Sequence, residues 1–151
     1  MIHDLVSFKA LALDGRLIGL DLGTKTIGVA ISDTTRLIAS SHSLIIKEKQ
    51  KKTFSTIKQL IADFHVSGIV LGLPLNLNGE EGPRCQSVRQ FAEDFQSQTD
   101  LPICFWDERF STNIVEKVLI SADISRKKRS EKIDQMAAVY ILQGALDRLR
   151  S

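Results

Sequence analysis

The chain has 151 residues, of which 43% are hydrophobic and 25% are charged. This size and composition predict one globular domain with a hydrophobic core and little room for a second domain. The 20 basic and 18 acidic residues give a net charge of only +2, so total charge gives weak support for a nucleic-acid partner. No apolar stretch approaches the roughly 18 residues of a membrane span, so we expect no membrane association.

The N-terminal stretch, residues 1–16, contains acidic residues and lacks a basic leader region and a clear cleavage signal. We therefore expect an N-terminal extension, a single domain over residues 17–151, and a cytoplasmic location. Cys85 and Cys104 lack the spacing of a zinc site, so we expect both to be reduced core residues.

Two short β-rich runs, residues 17–23 and 27–33, predict a hairpin that turns beside Gly23. Side chains alternate between the two faces of a strand, so Asp21 shares a face with Gly19 and Gly23. A carboxylate on a buried strand costs several kcal/mol unless a partner compensates it. Because its neighbours on this face have no side chains, Asp21 is open to the approach of a large ligand.

The rest of the chain alternates between helical spacing of apolar residues and continuous apolar runs. The expected strands are residues 41–47, 68–74 and 101–106, and the expected helices are residues 51–65, a helix from Pro83, one near 112–120 and one from about Glu131 to Arg150. This order predicts an α/β, ribonuclease H-like mixed sheet of five strands. It has an antiparallel three-strand start, then parallel strands, with helices on both faces.

Acidic residues are expected to meet at the carboxyl end of this sheet, where open α/β sheets bind ligands. Asp107 and Glu108 follow the fifth strand. Neighbouring side chains of an extended chain point to opposite faces, so only one of the two is expected to face Asp21. We prefer Glu108 for its longer side chain and keep Asp107 as the substitute. Asp134 lies on the edge of the buried face of the last helix, and Ala138, one turn later, lets that helix approach the sheet.

Three carboxylates in a small space cannot all stay ionised unless a cation compensates them. Ligands that are all oxygen atoms favour Mg²⁺ or Mn²⁺, and two such ions can stabilise both reacting oxygens of a phosphodiester. Each acid alone also has a structural explanation. Asp21 could pair with Lys25, and Asp107 could cap the next helix. Asp134 could be a first-turn acid favoured by the helix dipole. Their joint occurrence favours the metal site.

Residues 125–132 hold five basic residues directly before Asp134, at a basic loop that precedes the last helix, and this cluster is expected to contact a phosphate backbone. Arg109 follows Glu108 and could bind either that carboxylate or a scissile phosphate. The candidate nucleic-acid-binding residues are Lys25, Arg84, Arg109, Arg126, Lys127, Lys128, Arg129 and Lys132.

Four segments together resemble the YqgF family, which comprises Holliday junction resolvase-like proteins and nucleases that mature the 5′ end of pre-16S ribosomal RNA. They are IGLDLGTKTIGVAISD, GLPLNLNGEEGPRCQSVRQFAEDF, WDERFST and KIDQMAAVYILQGAL, in this order from residue 18 to about residue 147. The resemblance implies a ribonuclease H-like fold related to the RuvC resolvases and divalent-metal-dependent phosphodiester cleavage. By position it places the family's acids at Asp21, Asp107, Glu108 and Asp134.

Two features depart from the related patterns. The fourth strand ends in Gly72-Leu73-Pro74 where the RuvC resolvases have an acid, which implies a differently built metal shell. Thr26 occupies a place where the family often has a basic residue, which implies a weaker phosphate contact. Neither departure removes a proposed acidic ligand.

The leading prediction is a divalent-metal-dependent endonuclease for pre-16S ribosomal RNA, with Asp21, Glu108 and Asp134 as catalytic residues. Two alternatives stay open. A resolvase acting on branched DNA makes two symmetric cuts and requires a homodimer, and a non-catalytic RNA-binding assembly factor keeps the fold without cleavage. The hairpin also looks like the first phosphate loop of the actin and hexokinase superfamily, whose members enclose ATP between two domains.

Overall fold

The structure is a computed structural model that describes residues 2–12, 14–76, 78–108 and 126–150, with the backbone alone for residues 126–131 and 134. Within these ranges the chain forms a single mixed sheet with helices on both faces. The strands are β1 (Ile2–His3), β2 (Arg16–Leu22), β3 (Thr26–Ser32), β4 (Ala39–Ile46), β5 (Val66–Leu73) and β6 (Ile103–Asp107). The helices are α1 (Leu5–Leu11), α2 (Gln50–Phe64), α3 (Pro83–Gln96) and α4 (Arg126–Arg150).

The sheet has the strand order β1-β6-β5-β2-β3-β4. The three strands β2, β3 and β4 are antiparallel neighbours, whereas β5 pairs in parallel with both β2 and β6. This arrangement confirms the predicted antiparallel start followed by parallel strands. Because β2, β5 and β6 run in the same direction, Asp21, Leu73 and Asp107 come to the same edge of the sheet.

The predicted count of five strands is wrong, because the described residues form six. The additional strand, β1, consists of Ile2 and His3, which pair in parallel with the start of β6. Two residues are too few to show the period-two alternation that identifies a strand in a sequence. Helix α1 follows directly, capped by the Asp4 carboxylate, which accepts a 2.8 Å hydrogen bond from the Ser7 amide.

The two faces of the sheet carry separate hydrophobic cores. Helices α2 and α3 cover one face with a core that includes Phe54 and Phe95, and helices α1 and α4 cover the other. Successive residues of β2 alternate between these cores, since Leu20 packs on the α2 and α3 side and Leu17 on the α1 and α4 side. The predicted placement of helices on both faces is therefore confirmed.

Helix α4 lies close to β2 at Gly19, where the strand has no side chain. A Cβ atom at this position would lie 2.7 Å from Leu142 Cβ and 3.3 Å from the Ala138 carbonyl oxygen. Both helix residues are fully buried. Because Gly19 and Asp21 share a face of β2, this contact fixes α4 on the same side of the sheet as the acidic residue.

Helix α4 begins at Arg126 instead of about Glu131, so the predicted basic loop is wrong from residue 126 onward. Lysine and arginine are good helix formers, and this segment contains neither glycine nor proline to stop the helix. The helix predicted near residues 112–120 lies outside the described residues. None of the described helices combines the length and apolarity needed to cross a lipid bilayer.

Replacing Gly19 with alanine should destabilise the fold, because the new methyl group would overlap with Leu142. Overpacking of this kind costs about 1–3 kcal/mol, which urea titration measures as a lower free energy of unfolding. The exposed residue Ser41 on β4 provides the control, and Ser41→Ala should change that free energy by less than about 0.5 kcal/mol. Equal stabilities of the two variants would contradict the close approach of α4.

Candidate active site

Asp21 lies near the end of β2, where it pairs with Gly28 of β3, and its side chain is half-buried. The chain then turns tightly at Gly23, whose amide donates a 2.9 Å hydrogen bond to the Thr26 carbonyl. A Cβ atom at residue 23 would lie 2.9 Å from that same carbonyl oxygen, so this turn requires glycine. The tight turn keeps the hairpin short and leaves Asp21 at the carboxyl edge of the sheet.

Glu108 is the acid that β6 brings to the Asp21 side of the sheet. It lies two residues after Trp106, on the same face, where Trp106 packs against the core beneath α4. Its amide donates a 3.3 Å hydrogen bond to the Leu73 carbonyl. Asp107 is exposed and, by alternation, faces the opposite side. The structure therefore places Glu108, rather than Asp107, on the side of Asp21.

Gly72 makes room for the Glu108 carboxylate. A Cβ atom at residue 72 would collide with Glu108 Oε2. Leu71 of β5 pairs with Leu20 of β2, and the two strands run in parallel. The next residue of β5, Gly72, therefore lies beside the next residue of β2, Asp21. The end of β5 has no acidic residue of its own, and the carboxylate from the neighbouring strand lies over it instead.

The Glu108 carboxylate is held in an environment that disfavours its charge. Burial, and next the nearby Asp21 charge, raise the pKa of Glu108 to about 7. The Arg84 guanidinium opposes this increase, and Asp107 makes a smaller contribution in the raising direction. Glu108 Oε2 is buried and has no hydrogen-bond partner among the described residues. An unpartnered carboxylate oxygen near a second carboxylate fits a site for a hard cation.

The third predicted acid, Asp134, belongs to α4, where only its backbone is described. It precedes Ala138, which lies over Gly19, by one turn. The later residue Gln143 accepts a 2.9 Å hydrogen bond from the Ala39 amide at the start of β4. Helix α4 therefore runs from the carboxyl end of β2 toward its amino end, which places residue 134 at the Asp21 end. The described side chains contain no group of three potential metal-binding residues.

Of the predicted nucleic-acid-binding residues whose side chains are described, Arg84 is the one whose charge affects Glu108. Its Nη2 atom donates a 3.2 Å hydrogen bond to the Leu22 carbonyl, directly after Asp21 in the chain. Lys25 in the hairpin and Lys132 on α4 are exposed. Arg109 lies outside the described residues, and Arg126, Lys127, Lys128 and Arg129 form the first turn of α4 with only the backbone described.

The sequence analysis missed Lys47, the residue after β4. Its amide donates a 2.9 Å hydrogen bond to the Lys25 carbonyl, which fixes it at the end of the hairpin. Partial burial lowers the pKa of Lys47, and the neighbouring Arg84 guanidinium lowers it further. A single lysine after a strand has no distinguishing sequence pattern, and only the pairing of β3 with β4 places it near Arg84.

Comparison with solved structures defines the class of fold. RuvC from T. thermophilus, in complex with a Holliday junction substrate, matches with a TM-score of 0.56 and 13% identity over 90% of this chain and 96% of that chain. Fowlpox virus resolvase, in complex with Holliday junction DNA, matches with a TM-score of 0.57 and 12% identity over 90% of this chain and 99% of that chain. These matches confirm the predicted ribonuclease H-like fold, in the form found in RuvC-like resolvases.

A family model described as RuvX, Holliday junction resolvase, matches residues 15–148. The chain belongs to the RuvX family, which is the YqgF family of the sequence resemblance. A relative from Rhodobacter capsulatus is 53% identical over 93% of this chain and 88% of its own length. Another from Ruegeria sp. is 51% identical over 99% of this chain and 97% of its own length. Both bear the name "Putative pre-16S rRNA nuclease". At the level of the family, the predicted enzyme class, a phosphodiester hydrolase, is confirmed.

The free energy of unfolding of the metal-free protein should fall as the pH rises from about 5 to about 8. In the folded state the pKa of Glu108 is about 7, above the ordinary value of 4.5 for a glutamate, so the folded state binds the proton more tightly. This group therefore favours folding below pH 4.5, and that contribution is lost as the pH rises through 7. Comparison with Glu108→Gln by urea titration in chelator should show a difference on the order of 2–3 kcal/mol across this range. Parallel pH profiles would contradict it.

Gly72→Ala should displace the Glu108 carboxylate and weaken cation binding. We expect the Mn²⁺ dissociation constant, measured by titration calorimetry, to rise at least tenfold. Gly68→Ala is a matched control in the same strand, because its Cβ atom would meet Phe8 Cζ at 2.7 Å, far from the acids. Both variants lose stability, but Gly68→Ala should keep the wild-type Mn²⁺ affinity. Equal affinities for all three proteins would contradict the role of Gly72.

Proposed function

We propose that this protein is a divalent-metal-dependent endonuclease that processes the 5′ end of pre-16S ribosomal RNA. The observation that carries the proposal is the position of Glu108. Its buried carboxylate lies over Gly72, close enough to Asp21 for the Asp21 charge to raise its pKa. The name borne by relatives of more than 50% identity supports the choice of ribosomal RNA as the substrate.

The proposed ligands of Mg²⁺ or Mn²⁺ are Asp21 and Glu108, together with Asp134 from α4. All supply carboxylate oxygens, which hard divalent cations prefer. Asp107 is exposed and stays the substitute for Glu108. When bound, the metal would activate water and stabilise the charge that develops on the phosphate. In its absence, the two carboxylates repel each other.

The basic residues would position the substrate. Arg84 is held by the Leu22 carbonyl and is near enough to Glu108 to affect its pKa, so its guanidinium can hold a phosphate beside the acids. The first turn of α4 carries Arg126 to Arg129 and lies about two turns before Asp134, at the same edge of the sheet. Together with Lys25 and Lys132, these residues would bind the RNA backbone.

Branched DNA is the second candidate substrate, because the matching family model is described as a Holliday junction resolvase. Such an activity would require a homodimer that makes paired cuts. A non-catalytic RNA-binding factor is the less favoured alternative, since such a factor has no use for a buried carboxylate that costs stability near neutral pH.

A cleavage assay in Mg²⁺ or Mn²⁺ tests the proposal. It compares an RNA that carries the precursor 5′ extension with a DNA four-way junction. The RNA should be cut by the wild type, and Asp21→Asn or Glu108→Gln should reduce the rate at least 100-fold. Asp63→Asn is the control, because Asp63 is an exposed residue of α2 that accepts a hydrogen bond from Gln59. It should retain the wild-type rate.

Several results would overturn this assignment. Cleavage that persists in excess chelator, or full activity of Asp21→Asn, would remove the metal-dependent mechanism. Paired symmetric cuts in the junction without RNA cleavage would identify a resolvase. RNA binding without cleavage of either substrate would identify an assembly factor.

A further inference from the structure

A groove of about 560 Å³ opens on the α2 and α3 side of the sheet, next to the candidate active site. One wall is the start of the hairpin, Leu22 to Thr24, and the opposite wall is the first three turns of α3. Leu22 directly follows Asp21, and a strand advances only about 3.3 Å per residue. The groove therefore begins within one nucleotide length of the acids.

Two cations line the end of the groove near the acids. Arg84 is anchored on the Leu22 carbonyl, and Lys47 lies near enough for the Arg84 charge to lower its pKa. Among the described residues, neither cation forms an ion pair with a carboxylate. The mutual repulsion of these side chains would be relieved by an anion bound between them, and a phosphate is the anion that this family's substrates carry.

The far end of the groove is polar, and its Asp94 carboxylate lies between two glutamine amides. The Asp94 carboxylate accepts a 2.8 Å hydrogen bond from Gln50 Nε2 and a 2.9 Å hydrogen bond from Gln90 Nε2. Both glutamine side chains retain an amide oxygen as an acceptor and a further N–H as a donor. These are the groups that hydrogen-bond the edge of a nucleobase.

The floor of the groove is apolar. Val88 is buried, and Phe91 is half-buried and held in place by edge-to-face contact with Phe54 at a centroid distance of 5.1 Å. An apolar floor with an aromatic ring suits the flat face of a base. The volume lies within the usual range for small-ligand sites, roughly 300–1,000 Å³. This volume is large enough for one nucleotide.

We propose that this groove binds one unpaired nucleotide of the RNA strand next to the cleavage site. Lys47 and Arg84 hold its phosphate, the base lies on Val88 and Phe91, and the amides of Gln50 and Gln90 contact the base edge. The identity of the strand rests on the proposed function, whereas the selection of an unpaired nucleotide rests on the shape and charge of the groove. The substrate strand would thus pass over the end of β2, from the groove to the acids.

Binding of a short single-stranded RNA, measured by fluorescence anisotropy in chelator, tests the groove without cleavage. Lys47→Gln should raise the dissociation constant five- to tenfold and reduce the slope of log affinity against log salt by about 0.7, the value for one phosphate contact on a single strand. Lys51→Gln is the matched control, since Lys51 is an exposed lysine of α2, and it should change binding less than twofold. Binding of fully duplex RNA should be the same for Lys47→Gln and the wild type.

A second variant tests recognition of the base. Gln90→Ala should weaken single-strand binding two- to fivefold without changing the salt slope, because it removes a neutral contact. An oligonucleotide with abasic sites should bind Gln90→Ala and the wild type equally. Equal binding of single-stranded RNA by Lys47→Gln, Lys51→Gln and the wild type would overturn the proposal, as would equal losses for single-stranded and duplex RNA.

The outcomes separate this groove from the nuclease assignment. If cleavage requires Asp21 but Lys47→Gln binds single-stranded RNA like the wild type, the groove is not a nucleotide site and the nuclease assignment stands. If Lys47→Gln weakens the binding of single-stranded RNA but the wild type cuts no RNA, the nuclease assignment is wrong and the nucleotide site in the groove stands.

Discussion

The site depends on one electrostatic constraint, the burial of the Glu108 carboxylate close to Asp21. A carboxylate in this position prefers to be neutral, which is why its pKa rises to about 7. The protein keeps this unfavourable arrangement by leaving residue 72 without a side chain, so that Glu108 can lie over β5. A cation bound between the acids would offset their repulsion.

The remainder of the fold holds the elements of this site in place. Parallel pairing of β5 with β2 and β6 brings the strand ends to one edge, and the contact at Gly19 sets α4 against the same face. On the opposite face, α3 presents Arg84 to the hairpin and forms one wall of the groove. The acids and the groove thus share the end of β2.

Much of this arrangement follows from local patterns in the sequence. The glycines two residues before and after Asp21 predict a carboxylate that is open to a ligand. The alternation of side chains predicts that only one of the two acids after β6 faces it. Other features depend on tertiary pairing. Strand β1 is too short to show a pattern, and Lys47 comes near Arg84 only because β4 pairs with β3. The helical start of α4 was mistaken for a loop because charge is a weaker guide to backbone conformation than helix propensity.

A crystal grown with Mn²⁺ would test the central claim most directly, because the anomalous scattering of manganese locates the ion. The expected result is a peak in contact with carboxylate oxygens of both Asp21 and Glu108, which is lost in Asp21→Asn crystals. Manganese bound only elsewhere on the protein, or an Asp21–Glu108 pair without a peak at saturating Mn²⁺, would contradict the claim that these acids form a metal site.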